Sequence, residues 1–151
     1  MNIIFRNHSK RITSAILLLS VISCSFLLSS CNKKDSYVVK DSDTCIAISV
    51  NEDLLDGKDD MPLVDYMTKL KENGELDFTI ENGMVVSIND IKNTADFSKC
   101  WMLYTSDTEY SNPSWGTVVY SENEYGSAMM GADALLVKPD TLYIWVYDSI
   151  R

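Results

Sequence analysis

The chain has 151 residues, 46% hydrophobic and 10% aromatic, which is one domain's worth of chain and too aromatic for a disordered tail. Thirteen basic against 22 acidic side chains give a net charge of −9; residues 1–30 hold Arg6, Lys10, Arg11, no acid and the single histidine, His8, so without them the charge is −12 and no histidine remains. Such a chain is a poor partner for nucleic acid, whose phosphates need Lys and Arg to release counterions, and it lacks Ser–His and Cys–His nucleophiles and imidazole metal ligands.

Residues 1–30 have the parts of a secretory signal: a basic start, an apolar stretch from Ile12 to Leu28 too short and Ser-rich for a confident membrane span, and small residues before a cysteine. Leu28-Ser29-Ser30-Cys31 resembles the lipobox of bacterial lipoproteins, which implies cleavage before Cys31 and lipidation of its thiol. An uncleaved signal anchor, or ordinary cleavage leaving a free thiol, is the alternative. Two or more acyl chains anchor stably where one does not. The lipoprotein reading therefore expects the acylated Cys31 to hold the protein in a bilayer on the extracytoplasmic side of a bacterial cell envelope.

Residues 31–42 comprise this cysteine and a polar tether without strand or helix periodicity, and residues 43–151 form one domain. With Cys24 lost and Cys31 lipidated, Cys45 and Cys100 remain, either as one disulfide or as two buried thiols.

Thr44–Val50 alternates as a strand. Asn51–Asp60 is an acidic loop, without the spacing of an EF-hand calcium site. A helix follows, with Asp59 or Asp60 as N-cap, Pro62 in the first turn, Leu63, Tyr66, Met67 and Leu70 on one face, Lys69 and Lys71 in the last turn, and Gly74 as terminator. Leu76–Ile88 is a hairpin. A three-residue loop, Glu81-Asn82-Gly83, pairs Ile80 with Met84, Phe78 with Val86 and Leu76 with Ile88, so all six apolar residues share a face; a two-residue Asn82-Gly83 turn would not. Trp101–Tyr104 is a buried strand, Thr105–Ser114 a polar segment leading to Thr117–Tyr120, and Gly126–Gly131 a Gly- and Met-bearing loop. Leu135–Val137 and Leu142–Tyr147 are strands flanking a Lys138-Pro139-Asp140 turn; the second is apolar on both faces and reads as central. The expectation is an α+β domain, one helix packed on a mixed or antiparallel sheet.

Val85-Val86-Ser87-Ile88-Asn89-Asp90, then Cys100-Trp101-Met102-Leu103-Tyr104, then Leu135 through Tyr147 with its closing Trp145-Val146-Tyr147 resemble the transcobalamin-like C-terminal domain family. The resemblance implies a β-grasp-like fold and a corrinoid, or another flat, polar-edged ligand, at the loop after Tyr104.

Tyr104, Tyr110, Trp115, Tyr120 and Tyr125 fall within 22 residues rich in Ser, Thr, Asn and Asp. Rigid aromatics beside short polar chains suit sugar, corrinoid or protein recognition; the same rings would also serve to complete a small core. Met129 and Met130 add a soft lip. The ligand-binding candidates are accordingly Tyr104, Ser106, Asp107, Tyr110, Trp115, Met129 and Met130. The carboxylate pairs Asp107/Glu109 and Glu122/Glu124 have the spacing of ordinary surface acids, and no nucleophile-elbow, P-loop, dinucleotide or zinc pattern occurs. The chain is expected to be non-enzymatic, without catalytic residues, metal or resident cofactor. It would bind a small molecule such as a corrinoid or, as a structural or adhesion module, a surface protein or glycan.

Overall fold

The computed structural model describes residues 37–149; the signal segment, Cys31 and the first part of the tether lie outside the described residues. In chain order the elements are β1 (Val38–Ser42), β2 (Cys45–Ser49), a 3-10 turn (Glu52–Leu55), α1 (Leu63–Glu72), β3 (Phe78–Glu81), β4 (Met84–Ile88), β5 (Ile91–Lys92), β6 (Lys99–Thr105), β7 (Ser111–Tyr120), β8 (Asn123–Ala128) and β9 (Leu142–Ser149). Six strands form a sheet ordered β1-β2-β9-β6-β8-β7 and three form β3-β4-β5, with antiparallel pairing throughout.

This corrects the expected α+β, β-grasp-like class. With 48% strand and 12% helix the fold is β-rich, two antiparallel sheets and a single helix. A ten-residue helix is too short to cover a six-stranded sheet, so strands cover the rest. α1 and the small sheet share the main core on one face, where Leu63, Tyr66, Met67 and Leu70 meet Phe78, Val85 and Ile88 and, on the large sheet, Ile46, Ile48, Tyr143 and Trp145. On the other face Ala47, Tyr104 and Ile144 are buried under Val118, Tyr120 and Tyr125 of the β7–β8 hairpin. That hairpin joins β6 through only two residue pairs, Tyr104↔Ser127 and Thr105↔Gly126, which leaves it free to lie across the sheet. β9 lies between β2 and β6, the central place its two apolar faces require.

Several elements differ from expectation. Val38–Ser42, read as tether, is the edge strand β1, its largely exposed side chains giving no alternation to read. β7 begins at Ser111, inside the expected polar segment, and Gly126–Ala128 belongs to β8 rather than to a loop. A register irregularity between Asn112 and Thr117 accommodates Pro113 there, and Gly126 lies so close that a Cβ on it would stand 2.9 Å from the Pro113 nitrogen. Leu135–Val137 is not a strand. Leu135 and Val137 are buried, and the segment docks on the start of α1 through Leu63 N to Leu135 O (2.8 Å) and Val137 N to Met61 O (2.8 Å).

The apolar face of α1 is as expected, but its cap is not. Pro62 is the N-cap, without a side-chain hydrogen bond, and Asp59 and Asp60 stay exposed. The amides those carboxylates would have served are already used: Leu63 N donates to Leu135 O, and Val64 N to Ala132 O at 2.8 Å. At the other end Gly74 (φ +74) closes the helix, with Gly74 N donating to Lys71 O and Glu75 N to Leu70 O, the paired bonds of a Schellman motif.

The β3–β4 register is also corrected. Asn82 (φ +51) and Gly83 (φ +81) make a two-residue turn, pairing Glu81 with Met84 and Ile80 with Val85. Both residues are left-handed, as a type I′ turn requires, and its twist matches that of the strands. The shared apolar face is recovered differently, by a bulge at Val86 that brings Phe78 opposite Ile88, both buried. Asn93 ties the bulge down, its amide N donating to Val86 O (2.8 Å) and its Nδ2 to Val85 O (3.2 Å).

Cys45 and Cys100 are free, half-buried thiols rather than a disulfide. They sit on β2 and β6 with β9 between them, opposite Val146 and Asp148. Two strand spacings, about 9.6 Å, exceed the ~7 Å Cα separation a disulfide spans.

Candidate functional site

A groove of about 430 Å³ runs between the β3–β4 turn and the loop from Met129 to Asp133. Its floor is Trp101 and Leu103 of β6 and Trp145 of β9; its rim is Met84, Met129 and Met130. The I′ turn and the Val86 bulge leave Met84 at the hairpin tip, 51% exposed. Met129 and Met130, 40% and 42% exposed, project from a loop fixed at both ends. Met129 N donates to Tyr110 O (2.8 Å) at one end; at the other, Leu135 N donates to Gly131 O (2.9 Å) and Ala132 O accepts from Val64 of α1. Three unbranched thioethers over two indoles make a polarizable apolar surface able to adapt to flat or irregular ligands.

The two tryptophans differ in polarity. Trp101 Nε1 donates to Ile91 O at 2.7 Å, and its ring packs tilted on Tyr147 with centroids 5.5 Å apart. Trp145 is 4% exposed, and its Nε1 is buried with no acceptor among the described residues. A buried donor without a partner carries its full desolvation cost, about 1–3 kcal/mol. Asp133 brings the groove's sole charge, beside Gly83 and Gly131.

Of the seven expected ligand-binding residues, Met129 and Met130 line this groove. Tyr104 is a core residue of the second face. Ser106 extends the β6–β9 ladder, its N–H donating to Leu142 O (3.0 Å) and its Oγ accepting from Leu142 N (2.9 Å). Asp107 and Glu109 clasp Lys138, each with an oxygen 2.8 Å from Nζ, and the ammonium lies 4.6 Å from the Tyr110 ring centroid. Hydrogen bonds to the two carboxylates hold the Lys138 pKa above the usual lysine value. This clasp and the Tyr110 carbonyl brace the loop behind the Met129 rim. Trp115 stands away from the groove on β7, 65% exposed.

Sequence reasoning missed Met84, Leu103, Trp145 and Asp133. One signal was present: Gly83-Met84 and Met130-Gly131 each set a methionine beside a glycine at the tip of a turn, where a core methionine has no reason to be. Among the described residues no group of three or more His, Cys, Asp or Glu side chains is placed to hold a metal ion. No protein-family model, curated protein or solved structure matches the chain.

Proposed function

We propose that the protein is a lipoprotein, anchored through acylated Cys31 on the extracytoplasmic side of a bacterial membrane, whose domain binds a small molecule non-covalently in the methionine–tryptophan groove. The observation that carries the binding reading is the groove itself, with three part-exposed methionines forming a rim over two buried tryptophans. The ligand has an apolar body on which the methionine side chains can close. A corrinoid or another flat, polar-edged molecule meets that description and is the class the sequence resemblance suggests. No step of chemistry is assigned.

A second reading, docking of a surface protein or glycan, has its own support. Trp115 and Val119 on β7 are 65% and 71% exposed, apolar side chains open to a partner.

Titration of intrinsic tryptophan fluorescence against a corrinoid panel separates the two. Trp101 and Trp145 report from the groove, and Trp115→Phe silences the third indole. Saturable quenching that persists in Trp115→Phe and is lost in Met130→Glu supports the groove. Loss in Trp115→Phe alone transfers the site to β7, and no quenching by any corrinoid removes that ligand class. Intact-mass analysis of the N-terminal fragment tests the anchor: an unmodified Cys31 would overturn it.

A further inference from the structure

Asp133 is the charged residue of the groove lining, and its carboxylate has no hydrogen bond or salt bridge among the described residues. The residue is exposed, yet its carboxylate oxygens lie close against two glycines. A Cβ on Gly131 would stand 2.7 Å from its Oδ1, and one on Gly83 3.0 Å from its Oδ2, so two glycines from opposite walls leave the space the carboxylate occupies. An unpaired carboxylate as the charged group in the lining of a largely apolar groove sets the sign of the charge that suits a ligand there. From this we infer that the groove takes an amphipathic organic cation, with an ammonium or guanidinium head at Asp133 and an apolar body between the methionines. The inference rests on the reading of the groove as a binding site and adds the charge of the ligand. Two further features agree in sign. Indole faces such as those of Trp101 and Trp145 attract cations, and the chain's net charge of −9 raises the local concentration of cations over anions.

The test uses three probes that share a body and a carbonyl acceptor and differ in the head group: N-(4-aminobutyl)benzamide, N-(4-hydroxybutyl)benzamide and 4-benzamidobutanoate. Binding is followed by the indole N–H resonances of the 15N-labelled protein, with Trp115 as the internal reference outside the groove. The amine is expected to shift the Trp101 or Trp145 signal and to bind about tenfold more tightly than the carboxylate, attraction and repulsion at the exposed carboxylate each contributing a factor of a few. Asp133→Asn is expected to bring the amine and carboxylate within about twofold, as is raising the salt until the Debye length is about 3 Å. The salt arm needs no variant. Equal binding of the three probes, or an amine preference that survives both Asp133→Asn and high salt, would overturn the cation and leave the groove standing. If no probe moves Trp101 or Trp145, the cation is overturned as well, while the groove reading falls only if the corrinoid titration also leaves both indoles unquenched.

Discussion

Trp101 and Trp145 share a floor and differ in one hydrogen bond and in the Tyr147 ring that packs on Trp101. Replacement by Phe removes the same volume from each. In Trp101→Phe the Ile91 carbonyl loses its 2.7 Å donor, whereas Trp145→Phe deletes a buried N–H that had no partner. Losing one partner of a hydrogen bond costs more than removing an unsatisfied group, so Trp101→Phe should be the more destabilising by about 1–2 kcal/mol in urea unfolding. Equal midpoints would show that Trp145 Nε1 has an acceptor after all. The glycines divide on the same logic of what surrounds them. Gly126→Ala sets a Cβ against backbone, 2.9 Å from Pro113 N and 3.1 Å from the Asn112 carbonyl carbon, and should cost about 1–3 kcal/mol by prising β7 from β8. Gly131→Ala meets only the Asp133 carboxylate, which can swing away; stability should change by less than about 0.5 kcal/mol while any amine preference is lost.

At the scale of elements, the start of α1 and the groove rim are one unit. The first amides of a helix normally face solvent and exchange fast, but Leu63 and Val64 donate to Leu135 O and Ala132 O. Their hydrogen exchange should therefore be slowed to the level of the helix interior, and the Met129 amide, which donates to Tyr110 O, should be slowed with them. Rapid exchange at Val64 would mean that the loop opens independently of the helix. This coupling also shows where sequence reasoning stops. Helix α1 was legible because its periodicity and its Gly74 stop are local; its cap was not, because the partners lie some 70 residues away. The β3–β4 turn was legible in Asn82-Gly83, but choosing the register by facing all apolar residues one way assumed a regular ladder, and the Val86 bulge broke that assumption. β1, the first half of β7 and most of β8 carry polar, exposed or glycine positions, and non-local pairing holds them in the sheet. For the site, Met129 and Met130 were legible as a lip. Trp145 is legible as part of a central strand and is buried; that it also floors a groove depends on Met84 and Asp133 arriving from separate turns.

For the molecule as a whole, alkaline pH is the informative stress. Tyr66 and Tyr143 are fully buried, and each pins a connection to the sheet: Tyr66 Oη accepts from Asn51 N (2.7 Å) and donates to Ser49 O (3.1 Å), and Tyr143 Oη accepts from Lys138 N (3.0 Å) and donates to Leu136 O (3.1 Å). Burial pushes both phenols above the ordinary value of 10.0, and it also raises Tyr120 and, above their ordinary 9.0, the thiols of Cys45 and Cys100. A group whose folded pKa is raised contributes stability that is intact below its unfolded pKa and is lost as pH climbs toward the folded one, because the unfolded chain gives up the proton first. All five groups act in this one direction, so stability should begin to fall above about pH 9 and fall more steeply above 10. The acid side has no equivalent. Asp43, Asp56 and Asp77 are lowered by hydrogen bonds to lysines, and Asp96 is held down to about 2 chiefly by the Ser98 N–H, so their contributions are lost only as pH falls below the ordinary 3.8. These carboxylates are fully exposed, and solvent screening keeps their effect small. Urea midpoints should therefore be nearly flat from about pH 5 to 9 and should drop on the alkaline side alone. Tyrosinate absorbance gives the residue-level check. Of the eight tyrosines, those at 66 and 143 should ionise only together with loss of the folded circular-dichroism signal. A reversible titration of all eight near the ordinary value, with the fold intact, would show that these two phenols are not the buried clamps described here.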